Sequence, residues 1–253
     1  MKNKQTIIHK TSQHEKTQQA SFTDLFLNFH DIMPHDELLR NLGLFLSRQT
    51  MSRLLFIHEL YKLSLNVHGI IAEFGVRWGQ NLALFETFRG IYEPYNHNRK
   101  IIGFDTFEGF ASIHEKDGTH SIIQNGAFSV TKKYENTLEE ILDYHESQSP
   151  ISHIRKFELI KGDATTTVKK YLDENPQTII SLAYFDFDIY QPTYECLRLI
   201  KNHITKGTVI AFDELNYAET PGETIALKEA FGLDKYAIRR VPYSPTTSYL
   251  IVE

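Results

Sequence analysis

The chain has 253 residues, of which 41% are hydrophobic and 12% aromatic, so it can bury one sizeable core and we expect a single domain. Its formal net charge of −5 argues against a general nucleic-acid or membrane-surface binder. The single cysteine, Cys196, excludes an intramolecular disulfide and a cysteine zinc cluster, which fits a reducing compartment.

The first 20 residues are polar and rich in His, Lys and Gln, and we expect them to be disordered. They do not resemble a signal peptide, and no apolar stretch of the chain approaches the ~20 residues that a membrane span needs. We therefore expect a cytoplasmic protein that binds small molecules, with no nucleic-acid or membrane partner.

Residues 21–67 have apolar side chains at three- and four-residue steps, which predicts helices ahead of the first strand. These helices could cover the sheet edge, form part of a substrate lid or mediate oligomerisation. The sequence does not choose between the three, although we expect a homo-oligomer.

Residues 69–86 predict a strand, a tight glycine turn and a helix. In an open parallel α/β sheet, the turn after the first strand lies where ligands bind, and Gly75 and Gly79 would let the backbone approach one. An ordinary turn between a strand and a helix also contains glycines. Glu73, just before the first glycine, favours a ligand with a positive group or a hydroxyl. The spacing does not match the G-x-G-x-x-G dinucleotide fingerprint.

Residues 100–105 predict a second strand that ends in Asp105. An acid at this position commonly accepts hydrogen bonds from ribose hydroxyls. The connection that follows, 106–155, is longer than a crossover needs, so we expect a lid-like insertion at about 106–135 and a helix over 136–146.

The rest of the chain continues to alternate between strands and helices. Strands are predicted at 157–161, 178–186, 208–214, 236–240 and 248–252, with helices at about 165–174, 192–203 and 223–231. The fold class is therefore α/β, with a mostly parallel seven-stranded sheet and an antiparallel edge hairpin.

The fourth and fifth predicted strands end in acids, namely Asp186, Asp188, Asp213 and Glu214. Paired strands lie about 4.8 Å apart, so these carboxylates would repel one another unless some are protonated or a cation lies among them. Oxygen ligands suit Mg²⁺, Ca²⁺ or Mn²⁺. The alternative is that one or two of these acids cap the following helices. We expect Asp186, Asp213 and Glu214 to be the metal ligands.

Five stretches carry a family resemblance: AEFGVRWGQN at 72–81, GFDTFEGF at 103–110, KGDATTTV at 161–168, YFDFDIYQPT at 184–193 and AFDEL at 211–215. In these stretches the sequence resembles the macrocin O-methyltransferase family, from about residue 37 to the C-terminus. Its members are class I, S-adenosylmethionine-dependent and Mg²⁺-dependent sugar O-methyltransferases. The nearest likeness is to dTDP-6-deoxy-hexose 3-O-methyltransferases of natural-product pathways. The resemblance implies a Rossmann-like class I methyltransferase fold.

The resemblance also assigns residues to the methyl donor and to the metal. It implies that the methionine part of the donor is lined by Glu73, Gly75 and Arg77. It implies that the ribose is bound by Asp105 and the adenine by Gly162 and Asp163. It also implies that Mg²⁺ is held by Asp186, Asp213 and Glu214. Glu214 departs from the family pattern, since many members have a second aspartate there.

A sugar hydroxyl is a poor nucleophile, and coordination to Mg²⁺ would acidify and orient it for attack on the donor's methyl group. A carboxylate or histidine then takes the proton. Asp186 is the first candidate for this contact, and His114 or His120 from the long connection is the alternative.

Two other classes of function compete with this interpretation. Asp186, Phe187 and Asp188 form a D-x-D pattern, as in metal-dependent glycosyltransferases, but that function would leave Glu73 and Asp105 without a role. A catalytically silent Rossmann-like binding or assembly subunit is the second alternative, and the concentration of acids argues against it.

Overall fold

The computed structural model describes residues 12–253, and the chain divides into two compact units after Leu54. In the first unit, helix α1 spans Gln13–Leu27 and α2 spans His35–Leu38, with 3₁₀ turns at Phe29–Asp31 and Leu39–Phe45. Helix α3, Arg48–Ser64, begins in this unit and supplies the first residues of the second.

Helix α1 differs from the sequence expectation, which was disorder over residues 1–20. Ser12 and Glu15 form a capping box, in which the Glu15 amide donates to Ser12 Oγ (3.2 Å) and the Ser12 amide donates to Glu15 Oε2 (2.7 Å). The box satisfies two amide groups at the helix start, so a polar sequence begins a helix at Gln13. Residues 1–11 of the expected disordered segment lie outside the described residues.

The second unit is built on a seven-stranded sheet in the order β3-β2-β1-β4-β5-β7-β6. The strands are β1 Ile70–Phe74, β2 Ile101–Asp105, β3 Phe157–Lys161, β4 Ile180–Phe185, β5 Ile204–Phe212, β6 Arg239–Arg240 and β7 Ser248–Ile251. The first five are parallel, and β7 runs antiparallel to both β5 and β6. This arrangement confirms the predicted fold class, including the antiparallel edge hairpin.

The strand order reverses between β1 and β4, and the carboxyl ends of these two strands therefore border a crevice where α/β sheets bind ligands. Every residue of β1 and β4 is buried, because helices cover both faces of the sheet. The helices are α4 Gln80–Tyr92, α5 Tyr134–Ser147, α6 Ala164–Glu174, α7 Tyr190–Ile200 and α8 Gly222–Ala230.

The connection between β2 and α5, residues 106–133, is a long loop that includes the short 3₁₀ turn Glu115–Asp117. Among residues 12–253, no helix combines the length and the apolar character needed to cross a membrane.

Candidate active site

A row of stacked phenylalanines crosses the four central strands near their carboxyl ends. Its members, in sheet order, are Phe104, Phe74, Phe185 and Phe212, whose adjacent ring centroids lie 5.5, 4.5 and 5.4 Å apart. The strand register aligns them, so the residues that follow them leave the sheet at one level: Asp105, Gly75, Asp186 and Asp213. The phenylalanine row is thus a buried apolar layer next to the predicted polar site.

Gly75 allows the ends of β1 and β4 to approach each other closely. Its φ is +95°, and a Cβ at this position would lie 2.1 Å from the carbonyl oxygen of Asp186. The Asp186 amide donates to the Phe74 carbonyl (2.8 Å), which fixes the same approach. A side chain at position 75 would therefore separate the glycine turn from the first acid of β4.

Asp105 shapes the glycine turn through its carboxylate. Oδ2 accepts hydrogen bonds from the amides of Val76 (2.6 Å) and Arg77 (2.7 Å), and Oδ1 accepts one from Phe107 (2.5 Å). Arg77 and Phe107 have φ values of 51° and 58°, a left-handed conformation that costs energy for residues other than glycine. The predicted ribose-binding acid is thus also the acceptor that stabilises two strained residues beside the crevice.

The other predicted donor-binding residues lie along the same edge of the sheet. Glu73 is 1% exposed, and its Oε1 accepts from Asn81 Nδ2 on α4 (2.8 Å). Gly162 donates its amide to the Asp105 carbonyl (2.9 Å), which places the end of β3 beside that of β2. Asp163 caps α6 by accepting from the Thr165 amide (2.9 Å). All of them lie at the carboxyl ends of β1, β2 and β3 or directly after them.

The structure brings the four predicted acids close enough to influence one another. Burial raises the pKa of Asp188 well above its usual range, and the charges of Asp186, Glu214 and Asp213 raise it further, whereas Arg77 opposes the shift. The neighbouring negative charges therefore disfavour ionisation of Asp188.

Two of these acids have neutral hydrogen-bond donors. The Tyr184 hydroxyl donates to Asp213 Oδ1 (2.7 Å), and the Thr220 hydroxyl donates to Glu214 Oε2. Within residues 12–253, no three His, Cys, Asp or Glu side chains converge in a geometry that would hold a metal ion as they stand. Asp213 and Glu214 thus have protein donors as their hydrogen-bond partners, at the ends of neighbouring strands.

Glu223, in the first turn of α8, is a fifth acid that the sequence interpretation missed. It is fully buried, and burial, followed by the charges of Asp188 and Asp186, raises its pKa well above the usual range. An acid in the first turn of a helix is ordinarily explained by the helix dipole, so the local pattern gave no reason to single it out. Together with Asp186, Asp188, Asp213 and Glu214 it forms what we call the acid cluster.

The two histidine candidates lie in the long loop and have local partners. Nδ1 of His114 accepts from the Lys116 amide (3.1 Å), and its ring packs 4.8 Å from that of Tyr190, the first residue of α7. Nδ1 of His120 accepts from the Ile122 amide (3.3 Å). His114 is thus placed at the start of the helix that follows the acids of β4, whereas the contact of His120 is within its own loop.

The long loop is anchored to α7 and α8 through one buried carboxylate and one ion pair. Asp117 is 1% exposed and accepts from the Tyr190 amide (2.5 Å) and the His114 amide (2.7 Å). Lys116 Nζ lies 2.7 Å from Glu229 Oε1 on α8. The middle of the predicted lid is therefore attached beside the acid cluster.

Comparison with solved structures gives close matches over almost the whole chain. The crystal structure of CalS11, a calicheamicin methyltransferase, is 42% identical, with 96% of this chain and 94% of that chain covered and a TM-score of 0.91. An apo structure of CalS11, described as a TDP-rhamnose 3'-O-methyltransferase of calicheamicin biosynthesis, is 41% identical over 97% and 96% of the two chains, with a TM-score of 0.84.

The O-methyltransferase NovP is a more distant match, 15% identical over 79% of each chain with a TM-score of 0.60, and it supports the fold alone. No protein-family model matches the chain, and no curated protein sequence matches it.

Proposed function

This chain belongs to the macrocin O-methyltransferase family of sugar O-methyltransferases, and from that premise we propose that it methylates a hydroxyl of a nucleotide-linked deoxysugar. S-adenosylmethionine is the proposed methyl donor and Mg²⁺ the proposed metal. The observation that carries the proposal is the acid cluster at the ends of β4 and β5, which borders the glycine turn at the switch point of the sheet.

The charge and position of the crevice support the methyl donor. Gly75 lets the ends of β1 and β4 approach each other, and Glu73 supplies a buried carboxylate on the β1 side. A sulfonium is cationic, so a crevice bordered by carboxylates favours it. We assign Glu73, Gly75 and Arg77 to the methionine part of the donor, Asp105 to its ribose, and Gly162 and Asp163 to its adenine.

The acid cluster fits a divalent cation because its donors are carboxylate oxygens that repel one another without one. Asp186, Asp213 and Glu214 would hold the ion. A bound Mg²⁺ would acidify and orient the acceptor hydroxyl.

The chain's own residues then supply position and a proton acceptor. The buried phenylalanine row keeps the ends of β1 and β4 in register, and holding donor and acceptor in place on such a frame can lower the barrier by ~7–11 kcal/mol. Asp186 is the proposed acceptor of the hydroxyl proton. His114 is the second candidate because it lies at the start of α7, and His120 the third.

The test is a set of titrations and turnover assays with purified protein. We expect S-adenosylmethionine to bind without added metal and methyl transfer to TDP-rhamnose to require Mg²⁺. Transfer of a sugar from a UDP- or TDP-sugar, with no binding of S-adenosylmethionine, would instead favour the glycosyltransferase alternative through Asp186 and Asp188. Binding of neither ligand class would favour a silent assembly subunit.

A further inference from the structure

We infer that Glu223 is a positioning residue, which holds together the two loops that present the proposed metal ligands. The inference rests on the proposed function, because it concerns the same cation site. The inference goes beyond the proposed function because it assigns a role to a side chain that binds backbone amides rather than a ligand.

The contacts of Glu223 span both acid-bearing loops. Its Oε1 accepts from the amides of Phe187 (2.9 Å) and Asp188 (3.3 Å) in the loop after β4, and its Oε2 lies 3.4 Å from the amide of Glu214 in the loop after β5. Phe187 directly follows Asp186, Glu214 directly follows Asp213, and Asp188 and Glu214 are themselves members of the acid cluster. One carboxylate thus sets the spacing between the two halves of the proposed ligand set.

The start of α8 is fixed where Glu223 needs it. A Cβ on Gly222 would lie 2.6 Å from the Tyr190 amide nitrogen and 2.8 Å from Asp117 Oδ1, so the helix start is packed tightly against the start of α7. Thr220, two residues earlier, donates to the Glu214 carboxylate. Thr220 therefore donates to the loop after β5, and Glu223 accepts from the loop after β4.

The position favours a carboxyl group over other polar side chains. Amides of both loops face Glu223, and both of its carboxyl oxygens have lone pairs that can accept them. A glutamine has the same shape but one acceptor oxygen, so its NH₂ would face an amide N–H of one loop. Burying a carboxylate is costly, and the fully buried position of Glu223 makes sense when these amides need it as their acceptor.

The experiment compares Glu223→Gln with the matched control Thr224→Val. The Thr224 hydroxyl, on the same turn of α8, accepts from the Asn216 amide (2.9 Å), so this control removes a contact to the loop after β5 that does not also reach the loop after β4. Calorimetry measures Mg²⁺ and S-adenosylmethionine binding, and thermal melting checks the fold. We expect Glu223→Gln to weaken Mg²⁺ binding by about 10- to 100-fold, the range for side chains that orient metal ligands, with donor affinity unchanged. Raising Mg²⁺ should recover part of its activity, and Thr224→Val should behave as wild type.

Glu223→Asp is the second variant, because its shorter arm keeps two acceptor oxygens but reaches less far, and we expect intermediate Mg²⁺ affinity. Wild-type Mg²⁺ affinity in a folded Glu223→Gln variant would overturn the inference alone. Failure of both variants to fold would also overturn it, since Glu223 would then serve the whole domain. Full activity of the wild type in EDTA, with no Mg²⁺ bound, would instead remove the metal from the proposed function.

Discussion

At the scale of single residues, the glycine turn depends on Asp105. Its carboxylate accepts three backbone amides and stabilises Arg77 and Phe107 in left-handed conformations beside the crevice. A side chain that shapes the binding loop affects the ligand and the fold together.

Asp105→Ala should therefore weaken S-adenosylmethionine binding by roughly 1–3 kcal/mol and lower the free energy of unfolding by a similar amount, because buried donors lose their acceptor. Calorimetry and denaturant unfolding measure the two effects. Thr208→Val is the control, since it removes the acceptor of the Thr205 amide near the start of β5 and leaves the glycine turn intact. Unchanged donor affinity in Asp105→Ala would contradict the assignment.

The buried Glu86 on α4 should make the free energy of unfolding depend on pH. Both of its carboxylate oxygens are buried without a hydrogen-bond partner among residues 12–253. Burial raises its pKa to about 8, Arg89 opposes the shift, and Glu146 and Asp143 add to it. The folded pKa lies above the unfolded value of 4.5, so the folded state holds the extra proton and loses stability as the pH rises from about 4.5 to about 8.

Glu86→Gln removes this titration. We expect the free energy of unfolding of the variant to increase relative to that of the wild type as the pH rises. The difference should reach a few kcal/mol above pH 8, since each pKa unit corresponds to about 1.4 kcal/mol. Unfolding in denaturant at pH 5, 7 and 9 measures the difference. Parallel stability curves for the two proteins across this range would show that Glu86 is not the group responsible.

At the scale of elements, the long loop 106–133 has two fixed points. Its base is paired, since the Gly126 amide donates to the Phe110 carbonyl (2.9 Å) and the Phe110 amide to the Ala127 carbonyl (3.1 Å). Asp117 attaches the middle to α7. The stretch 119–125, between these points, is where a lid movement would be concentrated.

Hydrogen exchange should therefore be slow at the amides of Phe110, Gly126 and Tyr190 in the free protein and faster across 119–125. Binding of donor and acceptor together should slow exchange across 119–125, because the stretch would order over the substrate. Equal exchange in the free and bound protein would show a surface insertion rather than a lid.

The elements also show which features a sequence can predict. The parallel strands and the row of acids followed from apolar runs that end in Asp or Glu, because parallel strands place their carboxyl ends at one edge. The roles of Asp117 and Glu223 did not follow, since their partners include backbone amides 35 to 73 residues away that only the docking of α7 and α8 brings near. The early start of α1 depended on a local cap within a polar stretch.

At the scale of the whole molecule, one half of the sheet carries the residues proposed to bind the donor and the other half carries the proposed metal ligands. The residues assigned to the donor lie at the carboxyl ends of β1, β2 and β3 or directly after them, and the proposed metal ligands follow β4 and β5. The two halves meet where Gly75 contacts the carbonyl of Asp186. Changes in the metal half should therefore reach catalysis without greatly changing donor binding.

Asp213→Ala and Asp186→Ala test this division directly. Either change removes a carboxylate from the acid cluster, and we expect sugar methylation to be abolished while S-adenosylmethionine affinity stays within about threefold of wild type, a difference below 1 kcal/mol. EDTA should abolish wild-type activity as well, and Mg²⁺ should restore it there but not in the variants, because only the wild type keeps the full ligand set. Methylation that persists in EDTA would mean that these acids act on the acceptor directly, and a large loss of donor affinity in Asp213→Ala would mean that the two halves are not separate.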